Sequence, residues 1–235
     1  MNENEEQYTT LFCEGDGTIG FYDGIRPRVG FFQKEREVLD YIASLVAGGR
    51  LYPLSVWTLV YNGKNCKPLL EMFSEHVVSS RFLSRLNVAL EAIGLPLAVQ
   101  HQITLDGFVG FWDAEGSSFN QPSISASQKT REILDIISGT FDGSVSKTDT
   151  GYQWFLSGDK ARELARVVLS KSHCPTRAGR LRQNFEGPSY YDTHKEEQKV
   201  YHTAHNKAYS VERKLTREYV RTHPEVVAKV LERTK

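Results

Sequence analysis

The chain has 235 residues, 40% of them hydrophobic and 25% charged, with 29 basic and 29 acidic side chains and a net charge of zero. This is the composition of an ordinary soluble globular protein. It contains no apolar run of the roughly 18 residues a membrane span requires, and its three widely spaced cysteines exclude a disulfide framework and a zinc site. The charge is unevenly spread, with 12 basic and 20 acidic residues up to position 159 and 17 basic and 9 acidic from 160 onward, which suggests a basic, phosphate-seeking segment.

The chain starts on an acidic stretch, residues 1–6, unlike a secretory or mitochondrial leader. A short helix is expected over 6–14, ending at Gly15 and Gly17. Residues 18–23 and 25–33 read as two strands around Asp23-Gly24, a common hairpin-turn pair. Val38, Tyr41, Ile42 and Leu45 share one face of a helix over 35–47, which Gly48-Gly49 stops. Residues 51–61 are β-rich, 67–78 and 81–93 helical, and Gly94-Leu95-Pro96 closes the unit. The same order then returns, with a helix over 104–114, a strand pair over 117–127 broken at Asn120-Gln121-Pro122, and a helix over 130–137. A hairpin over 145–156 turning at Thr150-Gly151 and a helix over 160–171 complete the second unit. Beyond residue 183 come a linker at 185–189, a long polar helix over 194–221 and a last helix introduced by Thr222-His223-Pro224-Glu225.

The two units are copies. Leu11 to Gly17 and Gly110 to Gly116 are each an apolar stretch ending in acid, small, acid, glycine. Residues 33–42 match 128–137 (128 − 33 = 95), and 57–63 parallel 152–158 at the same offset. Arg81 and Arg177 are separated by 96, and the two last acids by 99 (115 − 16). The expected fold is therefore α+β. Two pseudo-symmetric αββαββα repeats, residues 1–96 and 97–182, would form a saddle of antiparallel sheets, followed by a basic helical C-terminal extension over 183–235.

The repeat carries Asp16 and Glu115 into matching places near the expected twofold axis. Two carboxylates there repel, and binding divalent cations relieves the repulsion; hard cations such as Mg2+ (or Mn2+) take oxygen ligands and keep several waters. Such a site activates water against a phosphodiester. His202 and His205 lack carboxylates or cysteines at ligand spacing, so no metal is expected there.

Phe108 to Gly116 resembles the signature of the LAGLIDADG homing endonucleases, and Thr9 to Gly17 a more degenerate first copy. The resemblance covers residues 7–182. It implies that the last acid of each motif, Asp16 and Glu115, binds the metal and carries cleavage, and that the motif helices pack through small residues. It also implies that the sheets sit in the DNA major groove. The polar residues that the family places at the end of the second strand correspond to Gln33 and Gln128, each followed by a lysine. Its basic residues near the scissile phosphates correspond to Arg81 and Arg177, with the DNA-facing Lys34 and Lys129 as alternatives. The small third residue of the motif is Gly110 in the second copy but Leu11 in the first, where Thr9 and Thr10 are expected to make room.

If Val29, Phe31, Ile124 and Ala126 point inward, then Arg26, Arg28, Ser123, Ser125 and Ser127 face DNA. The sequence thus implies an intracellular, monomeric, site-specific DNA endonuclease with internal pseudo-twofold symmetry and double-stranded DNA as partner, housed in a bacterial or phage cytoplasm or an organelle. The competing reading is a non-cleaving nucleic-acid binder such as an intron-splicing maturase.

Overall fold

The computed structural model describes residues 1–119 and 122–186; residues 187–189 of the linker expected over 185–189 and the helices expected after it, with His202 and His205, lie outside the described residues, while 185 and 186 are helical. The first half runs α1 (Glu3–Asp16), β1 (Gly17–Tyr22), β2 (Arg26–Gln33), α2 (Arg36–Leu45), β3 (Arg50–Pro53), β4 (Trp57–Asn62), α3 (Lys67–Ser74) and α4 (Ser80–Ala92). The second runs α5 (Leu105–Glu115), β5 (Gly116–Ser117), β6 (Ser123–Gln128), α6 (Glu132–Phe141), β7 (Ser144–Thr148), β8 (Gly151–Ser157), α7 (Gly158–Lys171) and α8 (Pro175–Glu186). The two antiparallel sheets have matching orders, β1-β2-β4-β3 and β5-β6-β8-β7. No helix among the described residues is long and apolar enough to cross a membrane.

Local chemistry sets the ends of the motif helices. Asn2 caps α1 in a reciprocal box with Glu5, and Glu3, Glu5 and Glu6 place negative charge at its positive end, so the helix starts earlier than its apolar residues suggest. Thr104 caps α5 by accepting from the Gly107 amide at 3.1 Å. Both helices stop at an acid followed by glycine. A Cβ at Gly17 would fall 2.5 Å from the Cys13 carbonyl oxygen, and one at Gly116 would fall 2.3 Å from that of Trp112. The chain therefore turns back over the last helical turn into a strand, which only glycine permits in both copies.

The inner faces of the sheets carry the core. Ile19, Val29, Phe31, Leu59 and Tyr61 are buried in the first half, as are Ile124, Ala126, Trp154 and Leu156 in the second. The amphipathic helices α2 (Val38, Leu39, Ile42) and α6 (Ile133, Leu134, Ile137) cover them. Each fully buried large side chain here is worth about 1.5–3 kcal/mol over its exposed state.

α1 and α5 pack side by side, and the contact is reciprocal. Gly110 lies on the backbone of Tyr8, where a Cβ would sit 2.1 Å from the carbonyl oxygen. Its counterpart Leu11 lies over Gly107, where a Cβ would meet the Leu11 side chain at 3.1 Å. Space for Leu11 is thus made by Gly107 on the facing helix. Thr9 and Thr10 have another task, with their hydroxyls donating to the Glu5 and Glu6 carbonyls at 2.7 and 2.8 Å.

Two features depart from the sequence expectation. The second half ends in two helices, as the sequence already expects of the first over 67–78 and 81–93, because α8 matches α4; α8 is polar and among its described residues only Leu181 is fully buried, so it lacks an apolar stripe to announce it. It also runs through residue 182, where the second repeat was expected to end. Ser123 and Ser125 are the second departure. Ile124 and Ala126 do point inward, but Ser123 and Ser125 are buried too, leaving only Ser127 of that face exposed. The Ser125 hydroxyl turns to the Ser117 carbonyl at 3.0 Å, and cross-strand from it Phe155 packs against Phe119. Side chains this short do not rise past such neighbours to reach a groove.

Candidate active site at the ends of the motif helices

The acids that end α1 and α5 meet where the helices converge. A Cβ at Gly15 would fall 2.6 Å from that of Ala114 and 3.1 Å from Glu115 Cγ. Asp16 and Glu115 therefore occupy one half-buried region, each with a glutamine from its own half. Gln33 Nε2 donates to Asp16 Oδ2 at 3.2 Å and to the Asp113 carbonyl of the other half at 3.2 Å. Gln128 Nε2 donates to Glu115 Oε1 at 2.9 Å. The amide oxygens of both glutamines accept from the next backbone N–H, of Lys34 at 2.8 Å and of Lys129 at 2.9 Å. Each glutamine is thereby turned so that its NH2 faces an acid.

Arg177, near the start of α8, donates to the Trp112 carbonyl at 3.1 Å. Its positive charge stabilises the charged forms of Asp16, Asp113 and Glu115. Arg81 occupies the equivalent place on α4 and lines an open cleft of about 590 Å3 together with Arg85, Glu115, Gln128 and Lys129. Lys34 and Lys129 are exposed at the strand ends. Arg26 and Arg28 are exposed on β2, Arg26 pairing with Asp23 and lying over the Tyr22 ring.

Burial dominates the electrostatics of the acids. It raises Asp16 to about 6 against the pull of Arg177 and Gln33. Glu115 is raised to about 7 by burial and then by repulsion from Asp16, with Arg177, Gln128 and Lys129 opposing. A hard divalent cation suits this pair, since it takes carboxylate oxygens and relieves both causes of the shift. Among the described residues no cluster of three or more histidine, cysteine or acidic side chains forms, so a cation held by Asp16 and Glu115 would complete its shell with water and phosphate oxygens.

The first acid of each motif has a different place. Glu14 accepts from the backbone N–H groups of Val78 and Ser79 at 2.7 and 2.9 Å, just before α4. Asp113 accepts from the Ser172 hydroxyl at 2.5 Å, the His173 N–H at 2.7 Å and the Tyr8 hydroxyl at 2.7 Å, just before α8. These acids hold the turns that lead into the arginine-bearing helices. Residues two apart on a helix point roughly 200° apart, so the helical period carries the signal that separates the two acids of each motif. Burial raises Glu14 to about 7 and Asp113 to about 6.

No family model matches the sequence, and no curated protein matches it. Solved structures do resemble it in fold. The homing endonuclease I-WcaI bound to its DNA recognition sequence superposes with a TM-score of 0.51 at 14% identity, over 77% of this chain and 86% of that one. The LAGLIDADG meganuclease I-AabMI bound to uncleaved DNA gives 0.48 at 14% identity, over 80% and 99% of the two chains. The LAGLIDADG homing endonuclease I-GzeII in complex with its DNA target gives 0.46 at 13%, over 86% and 91%. The chain shares the fold of the homing endonuclease I-WcaI.

Proposed function

We propose that this chain, built on the LAGLIDADG homing endonuclease fold, is a site-specific endonuclease that hydrolyses one phosphodiester in each strand of double-stranded DNA with the help of Mg2+ or Mn2+. The observation that carries this reading is the duplicated acid–amide pair, Asp16 with Gln33 and Glu115 with Gln128, at the converging ends of the motif helices. Duplication supplies two equivalent sets of groups, as two antiparallel strands require.

In this reading Asp16 and Glu115 hold the cation. A bound divalent ion lowers the pKa of its water and offsets charge on the phosphate. The chain's own residues do the rest. Gln33 and Gln128 fix the carboxylate orientation through their NH2 groups. Arg81 and Arg177 place positive charge where the leaving oxygen develops negative charge. Arg26, Arg28, Lys34, Lys129 and Ser127 are exposed and available to phosphates and base edges, whereas Ser123 and Ser125 are withdrawn into the fold.

The test is cleavage. DNA flanking the chain's own gene, rejoined as it would read without the gene, is incubated with the protein and Mg2+. Linear product that appears with Mg2+ and vanishes with chelator supports the enzyme. Tight binding of that DNA without any cut would overturn it in favour of a binding protein of the maturase kind.

A further inference from the structure

We propose that Glu35 and Glu132 are reciprocal positioning residues, each reaching from one half of the fold to fix the helix start on which the other half carries its arginine. The inference rests on the endonuclease reading above. The Ser80 N–H donates to Glu132 Oε1 at 2.6 Å, and the Thr176 N–H donates to Glu35 Oε2 at 2.9 Å. Ser80 and Thr176 are equivalent positions (176 − 80 = 96), and each immediately precedes an arginine, Arg81 or Arg177.

The carboxylates that reach them are not equivalent. At the offset of 95, Glu35 corresponds to Thr130 (35 + 95) and Glu132 to Glu37 (37 + 95). The same bond across the halves is therefore made from two different places in the repeat. Duplication alone would have carried one acid to one matching position.

The consequence is a linkage of each acid's surroundings to the other half. Glu35 stands two residues after Gln33, which donates to Asp16, and it holds the turn of Arg177, whose charge acts on Asp16. Glu132 stands four residues after Gln128, which donates to Glu115, and it holds the turn of Arg81, which shares the cleft with Glu115. Asp16 thus has its glutamine from its own half and an arginine from the other, while Glu115, on which Arg177 of its own half also acts, shares its cleft with Arg81 of the other half; in each case a glutamate crosses between the halves to hold the arginine's turn. Glu14 and Asp113 hold the same turns from within their own halves. A glutamate that merely capped a helix would affect stability alone, with no preference for one strand.

The experiment uses the full chain and the alanine and glutamine variants at both positions. Supercoiled plasmid carrying the cleavable DNA is treated with each protein and Mg2+, and the two strands are labelled separately. Glu132→Ala should slow one strand about tenfold or more, the factor a hydrogen bond to a charged acceptor is worth, so that nicked circles accumulate. Glu35→Ala should slow the other strand instead. Glu132→Gln and Glu35→Gln should largely restore the rate, because the amide oxygen still accepts from the same N–H. Equal slowing of both strands, no slowing, or no rescue by glutamine would overturn the proposal. If the unaltered protein cuts no DNA, the endonuclease reading fails, and amide exchange still decides the contact. Exchange at Ser80 should speed up in Glu132→Ala and return in Glu132→Gln, and unchanged exchange would overturn the inference.

Discussion

Gly110 rests on the backbone of Tyr8 so closely that a methyl group there would overlap the Tyr8 carbonyl, 2.1 Å away. The contact sets the separation of the motif helices, and so the separation of Asp16 and Glu115 at their ends. A backbone carbonyl cannot swing aside as a flexible side chain can. Gly110→Ala should therefore cost about 3 kcal/mol or more, at the upper end of overpacking penalties, and lower the melting temperature accordingly. A variant as stable as the parent would show that the helices slide apart without loss.

Asp16→Asn and Glu115→Gln should each abolish double-strand cleavage while leaving DNA affinity nearly unchanged, since each removes a charge for the cation and little shape. Gel-shift and cleavage assays on the same DNA separate the two effects. Full activity in either variant would take that residue out of the mechanism.

The same carboxylates should make stability fall as pH rises. Glu115 goes from an ordinary value of 4.5 to about 7 in the fold, and Asp16 from 3.8 to about 6. The folded state therefore binds these protons more tightly than the unfolded chain. The stability linked to Glu115 is fully present below about pH 4.5 and lost as pH rises through about 7. Without divalent cations, Glu115→Gln should melt higher than the parent at about pH 8, and the gap should close toward about pH 4. Some slope will remain, because Glu14 and Asp113 titrate in the same window. A lower melting temperature for Glu115→Gln at the alkaline end would refute the account. Added Mg2+ should raise the parent's melting temperature more at alkaline than at acid pH, because a cation competes with the protons.

Arg81→Ala and Arg177→Ala should slow cleavage more than they weaken binding, because a cation beside the scissile phosphate acts mainly on developing charge. Arg177 also bonds to the Trp112 carbonyl, so Arg177→Ala should lower stability as well, while exposed Arg81 should not. Equal losses of rate and affinity would mark both as phosphate anchors.

Much of this arrangement is legible in the sequence, because duplication turns weak signals into paired ones. The offset of 95 places Gln33 and Gln128 at equivalent strand ends, and the structure puts both beside the acids. Contacts that break the symmetry are not legible. Glu35 and Glu132 fall out of register, so comparing the copies hides their common task. The fit of Leu11 depends on Gly107, which lies outside the matched motif. Ser123 and Ser125 alternate as an exposed strand face should, yet both are fully buried, and the contact of Phe119 with Phe155, the residue paired with Ser125, is one that no periodicity records.

The reciprocal seating of Leu11 on Gly107 and Gly110 on Tyr8 also decides which halves can pair. Two first halves alone would drive Leu11 twice against the Tyr8 backbone, where only glycine fits. Two second halves would instead set Gly110 over Gly107, where the absence of side chains lets the backbones close together. Leu11 therefore bars self-pairing of the first half, which fits only a partner with glycine at both crossings. If the chain were severed between α4 and α5, the first-half fragment should stay unpaired alone and assemble once the second-half fragment is added. A single leucine has in this sense given the duplicated fold a direction.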